Sequence, residues 1–149
     1  RPSNRLPPNL SPWNQIPERE RHLHHGLKAC HQSISAITSE ILSKAMPNSI
    51  FSRSSESHNQ DKVSLGMSAA MQCHHQLQQL ATVTALALTC LAQALDLRGI
   101  RLKGSASSAV YDLIRTHVPF VERDIALDTN ITTLSKSLIQ LSNAKGAFL

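Results

Sequence analysis

One segment of the chain limits its fold more than any other. Residues 61–97 contain no proline and a single glycine, Gly66, and good helix formers dominate the segment. This pattern predicts one helix that begins at Asp61, an N-cap residue type, and ends at Leu97. Such a helix would be about 55 Å long at the standard helical rise. One small domain cannot cover it, so we expect neighbours from other chains or from sequence outside these 149 residues.

The composition predicts an all-α protein. The hydrophobic fraction is 41%, but aromatic residues make up only 3%, so leucine, alanine, isoleucine and valine must supply the core. Aliphatic cores of this kind suit helix-on-helix packing, and no alternating strand pattern stands out. We therefore predict an all-α, long-helix bundle that forms one domain or one piece of a larger helical fold.

The distribution of proline divides the chain into three parts. Five of the seven prolines fall in residues 1–17, which we predict to be an extended lead-in because proline removes amide donors. Residues 18–100 form the long-helix region. Residues 101–149 carry short carboxy-terminal helices.

Apolar periodicity predicts three helices besides the long one. The first runs from Glu18 to Lys44, with a core-facing stripe at steps of three and four: Leu23, Leu27, Cys30, Ile34, Ile37, Ile41 and Leu42. A short helix spans Ser107–His117. The last helix is capped by residues 128–130, covers Ile131–Leu141, and places on one face Leu134, Leu138 and Leu141.

Charge and hydropathy argue against nucleic-acid and membrane partners. The net charge is +5, but the 15 lysines and arginines are scattered, and no basic stripe alternates with aromatic residues. The most apolar run, Leu80–Leu97, is interrupted by polar residues. The start at Arg1 lacks the apolar stretch of a signal peptide. We therefore predict a cytoplasmic protein without a membrane span.

Cysteines, histidines and serines form no recognisable metal, redox or nucleophile motif. Cys30, Cys73 and Cys90 make no CxxC pair, and their apolar or helical contexts predict buried free thiols in a reducing compartment. The eight histidines include no HExxH motif, so we expect no metal ligands. No GxSxG turn surrounds a serine. Asp96 and Arg98 do not face each other on a helix, so each needs a partner elsewhere.

The segment Glu56–Asp61 concentrates polar chemistry at the predicted start of the long helix. It holds two carboxylates, one imidazole and two amides in six residues. Because the first amides of a helix are unpaired and carry partial positive charge, the segment could hold a zwitterion, with Glu56 near the ammonium group. The alternative is a capping loop whose side chains only satisfy the helix end. The residues alone leave both interpretations open.

Several stretches resemble the aromatic amino acid ammonia-lyase family, most closely its phenylalanine and tyrosine branches. They are Leu6-Pro7 with Asn9-Leu10, Gly26-Leu27-Lys28, His58-Asn59-Gln60-Asp61 with Ser64-Leu65-Gly66, and Gln93-Ala94-Leu95-Asp96-Leu97-Arg98. The spacing between them fits the family, and the combination is specific although no single tetrapeptide is. The resemblance covers roughly residues 4–100 and is loose beyond Arg98.

This resemblance implies the carboxy-terminal helical part of a mostly helical homotetramer whose active sites are shared among subunits. In the family, a methylideneimidazolone group made from an Ala-Ser-Gly triplet is the electrophile, and a tyrosine removes the substrate proton. By resemblance, Glu56 and Gln60 are catalytic residues, and Asn59 and His58 contact the substrate. Gln60 stands where the histidine branch carries a glutamate, which implies an uncharged aryl substrate, phenylalanine or tyrosine.

The chain also lacks parts that this chemistry needs. It contains no Ala-Ser-Gly triplet, since residues 104–107 read Gly-Ser-Ala-Ser, and its only tyrosine, Tyr111, lies past the matched stretches. Lys62-Val63 departs from the plant-type pattern. The resemblance therefore implies a fragment or split subunit that is inactive alone. Other lyase subunits or a companion amino-terminal chain would supply the methylideneimidazolone and the tyrosine.

Two alternatives remain beside the lyase hypothesis. The chain could belong to an aromatic aminomutase of the same family, which returns ammonia to the β-carbon. It could also be a non-catalytic helical assembly module derived from this fold. No residue in the sequence separates the lyase from the aminomutase, and the absent Ala-Ser-Gly triplet favours the assembly module if these 149 residues are the whole gene product.

Overall fold

The computed structural model describes residues 6–104 and 106–144, and in these residues the protein is helical. Four α-helices follow one another: α1 Lys28–Ser43, α2 Gly66–Leu97, α3 Ala106–His117 and α4 Asp128–Ala144. Short 3-10 helices occupy Pro8–Leu10, Trp13–Gln15, Glu18–Leu23 and Asn48–Phe51. Extended pairing in the described residues is limited to one isolated bridge between Ser55 and Gln60. The predicted all-α class is therefore confirmed.

Helix α1 lies antiparallel against α2, and side-chain amides from α2 fasten the two together. Gln76 Nε2 donates to the Ile41 carbonyl at 3.2 Å, and Gln72 Nε2 donates to the Lys44 carbonyl at 2.5 Å. Both acceptors lie at the carboxy-terminal end of α1, and the Ile41 carbonyl also accepts from the Lys44 amide at 3.2 Å. The amide side chains thus add hydrogen bonds at this end of α1 and set its register along α2.

The core lies on one side of the second half of α2. Its buried apolar residues come from α1, α2, α3, α4 and the segment between α3 and α4: Leu27, Cys30, Ala85, Leu86, Ala92, Ile114, Val118, Val121, Ile131 and Leu134. Small residues on α2, such as Ala85 and Ala92, let the neighbouring helices approach closely. As the composition predicts, none of these buried residues is aromatic.

Gln93 is a polar residue in the middle of this core, with only 1% of its surface exposed. Its Nε2 donates to the carbonyls of Leu10 at 3.3 Å and Val121 at 2.9 Å, and its Oε1 accepts from the Val121 amide at 3.1 Å. Backbone groups outside helices need such partners when they are buried. One side chain on α2 therefore holds both the lead-in and the segment after α3.

The prediction of one continuous first helix from Glu18 to Lys44 was wrong. Glu18–Leu23 is a 3-10 helix, and α1 begins only at Lys28. Between them the chain turns at Gly26, whose φ is +58°. The Asp124 carboxylate accepts hydrogen bonds from the amides of His25 at 2.7 Å and Gly26 at 2.9 Å. The Leu27 amide donates to the Asn9 carbonyl at 2.8 Å. These amides therefore cannot join a helix.

The boundaries of the other helices also differ from the predictions. Helix α2 begins at Gly66 rather than Asp61, its N-cap position is Leu65, and no side chain caps it. Helix α4 begins at Asp128, so the residues predicted to cap it form its first turn. In residues 6–17 the lead-in contains two short 3-10 turns, and Asn9 and Leu10 have positive φ. Residues 1–5 of the predicted extended lead-in lie outside the described residues.

Several predicted core positions are exposed within this chain. Leu23 and Leu42 of the predicted first stripe and Leu141 of the last are exposed, whereas Leu27, Cys30 and Leu134 are buried. Of the three cysteines, Cys73 is exposed, so the prediction of three buried thiols was wrong for this residue.

Helix α2 also has the length and composition of a membrane-crossing helix, since an 18-residue window has a mean hydropathy of 1.6. The expectation that no segment would reach this limit was wrong, because the interrupting threonines and glutamines are only moderately polar. Core helices of soluble proteins meet the same criterion. The absence of a membrane partner stays a prediction.

Replacing Gly26 should destabilise the fold more than replacing another left-handed glycine. A Cβ at Gly26 would lie 2.7 Å from the Asn9 carbonyl oxygen, whereas a Cβ at Gly99, with φ +64°, meets nothing within 4 Å. We expect Gly26→Ala to lower the free energy of unfolding by about 2–4 kcal/mol and Gly99→Ala by about 1 kcal/mol. Urea unfolding measures both. Equal losses would mean that the contact with Asn9 is unimportant.

Candidate functional site

The four predicted site residues lie together in a tight hairpin turn between the Asn48–Phe51 3-10 helix and α2. The Ser55 amide donates to the Gln60 carbonyl at 2.8 Å, and the Asn59 amide donates to the Glu56 carbonyl at 2.9 Å. At the base of the hairpin, Val63 donates to the Arg53 carbonyl at 3.0 Å. Glu56, His58, Asn59 and Gln60 therefore share one turn instead of the first turn of a helix.

The tip of this hairpin has an unusual backbone. Three consecutive non-glycine residues have positive φ: Glu56 at 52°, Ser57 at 56° and His58 at 68°. The left-handed region costs an L-residue roughly 1–2 kcal/mol, and runs of such residues are rare. Strained conformations of this kind concentrate at functional sites, because the surrounding structure must hold them against relaxation. The backbone thus adds an independent reason to consider the turn functional.

Two serines hold the hairpin through side-chain hydrogen bonds. Ser54 Oγ lies 2.9 Å from His58 Nδ1, which orients the imidazole and leaves Nε2 for another contact. Ser52 Oγ donates to the Val63 carbonyl at 2.6 Å. Lys62 Nζ approaches the Ser52 carbonyl at 3.4 Å. The hairpin therefore has a carboxylate at its tip and an ammonium group at its base.

All four predicted site side chains are exposed within this chain, as is Asp61. The prediction that Asp61 caps the long helix was wrong, because residues 61–65 separate the turn from Gly66. The capping interpretation of the segment fails for the same reason, since none of its side chains caps α2. The turn instead presents a carboxylate, an imidazole and two amides outward, which suits contact with groups from another chain.

A cleft of about 700 Å³ lies beside the base of the hairpin. It is lined by the 3-10 turn that follows Pro47, by Ser52, Lys62 and Val63, and by the start of α2. The uncapped start of α2 carries partial positive charge, and the exposed Lys62 adds to it. Positive charge therefore lies at the base of the hairpin, beside a largely apolar cleft, and the negative charge of Glu56 lies at its tip.

A second polar cluster joins α2 to α3 and involves residues whose partners the sequence did not reveal. Asp96 accepts hydrogen bonds from the Tyr111 hydroxyl and, at 2.6 Å, from Arg115 Nη2. The Arg115 guanidinium lies 5.6 Å from the centre of the Tyr111 ring. It also donates to the carbonyls of Val118 and Pro119. Asp96 thus links α2 to α3, and Arg115 also holds the segment after α3, although its Nε is buried without a partner. We interpret the cluster as structural.

In residues 6–104 and 106–144, no group of three or more histidine, cysteine or acidic residues is arranged to hold an ion. The clustered His24 and His25 instead surround the Asp124 carboxylate, each with its Nδ1 at 3.8 Å.

Comparisons with known proteins give one consistent result. A family model described as aromatic amino acid lyase matches residues 1–116. Histidine ammonia-lyase of Natranaerobius thermophilus is 31% identical over 115 residues, which are 77% of this chain and 23% of that protein. Histidine ammonia-lyase of Bacillus cytotoxicus is 30% identical over 132 residues, 89% of this chain and 25% of that protein.

A solved structure, Pantoea agglomerans phenylalanine aminomutase, superposes with a TM-score of 0.81 and 34% identity, covering 92% of this chain and 26% of that one. The chain thus spans about a quarter of the length of the relatives that it matches. The predicted resemblance is confirmed, and it continues past Arg98, where we had expected it to be loose.

Glycine at the hairpin tip should relieve the left-handed strain. We expect Ser57→Gly to raise the free energy of unfolding by up to about 1 kcal/mol, because glycine adopts positive φ without a steric cost. Ser49→Gly is the matched control, since Ser49 is an exposed serine in a right-handed 3-10 helix. This control should lower the free energy by about 0.5–1 kcal/mol. Chemical denaturation measures both free energies of unfolding. A decrease for Ser57→Gly as large as that for Ser49→Gly would show that the tip is not strained.

Proposed function

The chain belongs to the aromatic amino acid lyase family, and we propose that it is one part of an ammonia-lyase acting on phenylalanine or tyrosine. The reaction would release ammonia and give an arylacrylate. The observation that carries this proposal is the strained hairpin, which brings Glu56, His58, Asn59 and Gln60 to one exposed turn. These are the residues for which the resemblance implies contact with the substrate.

The charges around the hairpin suit an amino acid zwitterion. Glu56 supplies a carboxylate for the substrate ammonium group, and Asn59 and Gln60 supply amides that can donate and accept. The imidazole of His58, oriented by Ser54, can lie beside the substrate ring. None of these groups makes a hydrogen bond to the core of this chain through its side chain, so each stays free to meet a ligand when a further surface closes the pocket.

The electrophile of the family does not fit the residues present here. Methylideneimidazolone would activate the substrate for loss of ammonia, but it forms from an Ala-Ser-Gly triplet that this chain lacks. Tyr111 also does not suit the role of the proton-removing tyrosine, because its hydroxyl is bonded to Asp96. We therefore assign the electrophile and the base to a companion region, and to this chain the binding and orientation of the substrate amine.

The exposed surface of α2 is a further argument for such a companion. Its first half exposes large apolar side chains, namely Met67, Met71, Leu77 and Leu80. An apolar groove of about 490 Å³ runs between α2 and α4 in the same region. Large exposed apolar side chains beside an apolar groove suit a contact with another chain or segment. We propose that other lyase subunits or an amino-terminal region cover it in a cytoplasmic homotetramer.

Two further candidate functions have specific support. The solved structure with TM-score 0.81 is called a phenylalanine aminomutase, which favours an aminomutase of the same family. The two relatives described above are called histidine ammonia-lyases, which favours histidine as substrate. Against histidine stands Gln60, an uncharged amide where the resemblance places a glutamate in the histidine branch. A non-catalytic assembly module is the remaining alternative.

Assembly with a companion tests the proposal. We would combine this chain with the amino-terminal three quarters of a family member that carries Ala-Ser-Gly, and follow arylacrylate absorbance with phenylalanine, tyrosine and histidine. Glu56→Gln should lower kcat/KM on the order of 100-fold, because the substrate ammonium group loses its charged partner. Gln60→Glu should shift the ratio of kcat/KM values toward histidine by about 10-fold.

Matched substitutions at exposed positions separate these effects from general charge effects. Glu18→Gln and Gln32→Glu make the same chemical changes away from the hairpin and should leave the kinetics unchanged. Full activity of the companion alone would remove the proposed role of this chain. A β-amino acid product would identify an aminomutase. If activity requires this chain but kcat/KM is unchanged by Glu56→Gln, the chain is a non-catalytic assembly module.

A further inference from the structure

We propose that Cys30 and Cys90 form a peroxide-sensitive dithiol that closes into a disulfide between α1 and α2. Neither thiol belongs to the candidate site, and the proposal does not depend on the proposed function. Both cysteines are free thiols in this structure. Cys30 lies in the first turn of α1, and Cys90 lies in the second half of α2.

Extended along the antiparallel pair, the register places Cys30 opposite residues 86–87, one helical turn before Cys90 on the same face of α2. At the other end of the pair, Gln76 contacts Ile41 and Gln72 contacts Lys44. Moving toward the start of α1 along the same register leads to the second half of α2, where Cys90 lies. Both side chains accordingly pack in the same core cluster, with Cys30 buried and Cys90 partly buried.

The two thiols shift each other's pKa values in opposite directions. A hydrogen bond with Cys90 is the main cause that lowers the pKa of Cys30 to about 7, against an opposing effect of burial. The same hydrogen bond, together with burial, raises the pKa of Cys90. Cys30 therefore supplies the thiolate and Cys90 the neighbouring thiol, the division of roles that a dithiol needs to react with an oxidant.

Hydrogen peroxide is the class of oxidant that fits this burial. Only 6% of the Cys30 surface is exposed, which admits a small peroxide better than a bulky disulfide. The Cys30 thiolate attacks one peroxide oxygen, the O–O bond breaks, and the second oxygen takes up a proton and leaves as water. Cys90 sulfur then attacks the Cys30 sulfenic acid, its proton joins the departing hydroxyl, and a second water leaves. Two thiols are oxidised and one peroxide is reduced.

The disulfide would close a loop that contains the candidate site, since residues 55–60 lie between the two cysteines in sequence. A cross-link restricts the unfolded chain more when the loop is long. Oxidation should therefore stabilise the α1–α2 pair and the hairpin between its helices. This stabilisation gives a readout that simple thiol damage would not produce.

The test uses the full chain carrying Cys73→Ser, because Cys73 and Cys90 share the tryptic peptide 63–98 and Cys73 is exposed. Limited hydrogen peroxide should lower the intact mass by about 2 Da and join peptide 29–44 to peptide 63–98. The melting temperature should rise by about 5–15 °C and return when dithiothreitol reduces the protein.

Single substitutions provide the controls. Cys30→Ser or Cys90→Ser in the Cys73→Ser background should abolish both the linked peptide and the rise in melting temperature. Reversal by dithiothreitol in the Cys73→Ser protein keeps the test decisive even where a control variant folds poorly. Oxygen addition at Cys30 with Cys90 still titrating as a thiol would overturn the proposal, as would a protein that resists peroxide at both positions.

Discussion

The buried amide of Gln93 is the interaction on which the arrangement of the chain depends. Helix α2 offers a buried face of small residues, but helices alone do not fix the irregular segments at either side of it. Gln93 pairs with the carbonyl of Leu10 and with both backbone groups of Val121, so the lead-in and the segment after α3 gain partners in the core. An apolar residue of the same size would leave these groups unpaired at a cost of about 1–3 kcal/mol each.

The fold class and the main helices could be predicted from local patterns, whereas the positions at which helices are interrupted could not. A proline-free run rich in helix formers predicts α2, and steps of three and four predict α1. The turn at Gly26 depends on Asp124 and Asn9, which lie far away in sequence. Nothing near residues 24–27 except the glycine itself signals that a helix would stop there. The periodicity of apolar residues gives no information about hydrogen-bond partners that are distant in sequence.

The candidate site, too, could be predicted from the sequence only in part. Its residue types drew attention to the segment Glu56–Asp61, and the family resemblance selected Glu56, His58, Asn59 and Gln60. The structure brings these four into one turn. The left-handed backbone that positions them was not foreseen, because none of the three residues is glycine or asparagine. The expected placement at the mouth of α2 failed because a hairpin, closed by Ser55 and Gln60, intervenes. The hairpin is held by hydrogen bonds within residues 52–63 and lies before the start of α2.

The uneven burial of α2 is the reason that we propose a companion. All five buried residues of α2 lie in its second half, whereas the first half keeps large methionine and leucine side chains exposed. The hairpin leads directly into the start of α2, so the polar turn and the exposed Met67 and Met71 are close in sequence. On this basis we propose that one companion contacts both the start of α2 and the hairpin.

Hydrogen–deuterium exchange of the hairpin tests this claim most directly. Exchange at residues 56–60 would be followed by mass spectrometry in the chain alone and in its assembly with a companion that carries the electrophile. The account predicts that exchange there slows at least about tenfold on assembly, together with that of the first half of α2, because a protein surface replaces water. Exchange at the hairpin that stays as fast in the active assembly as in the free chain would contradict it.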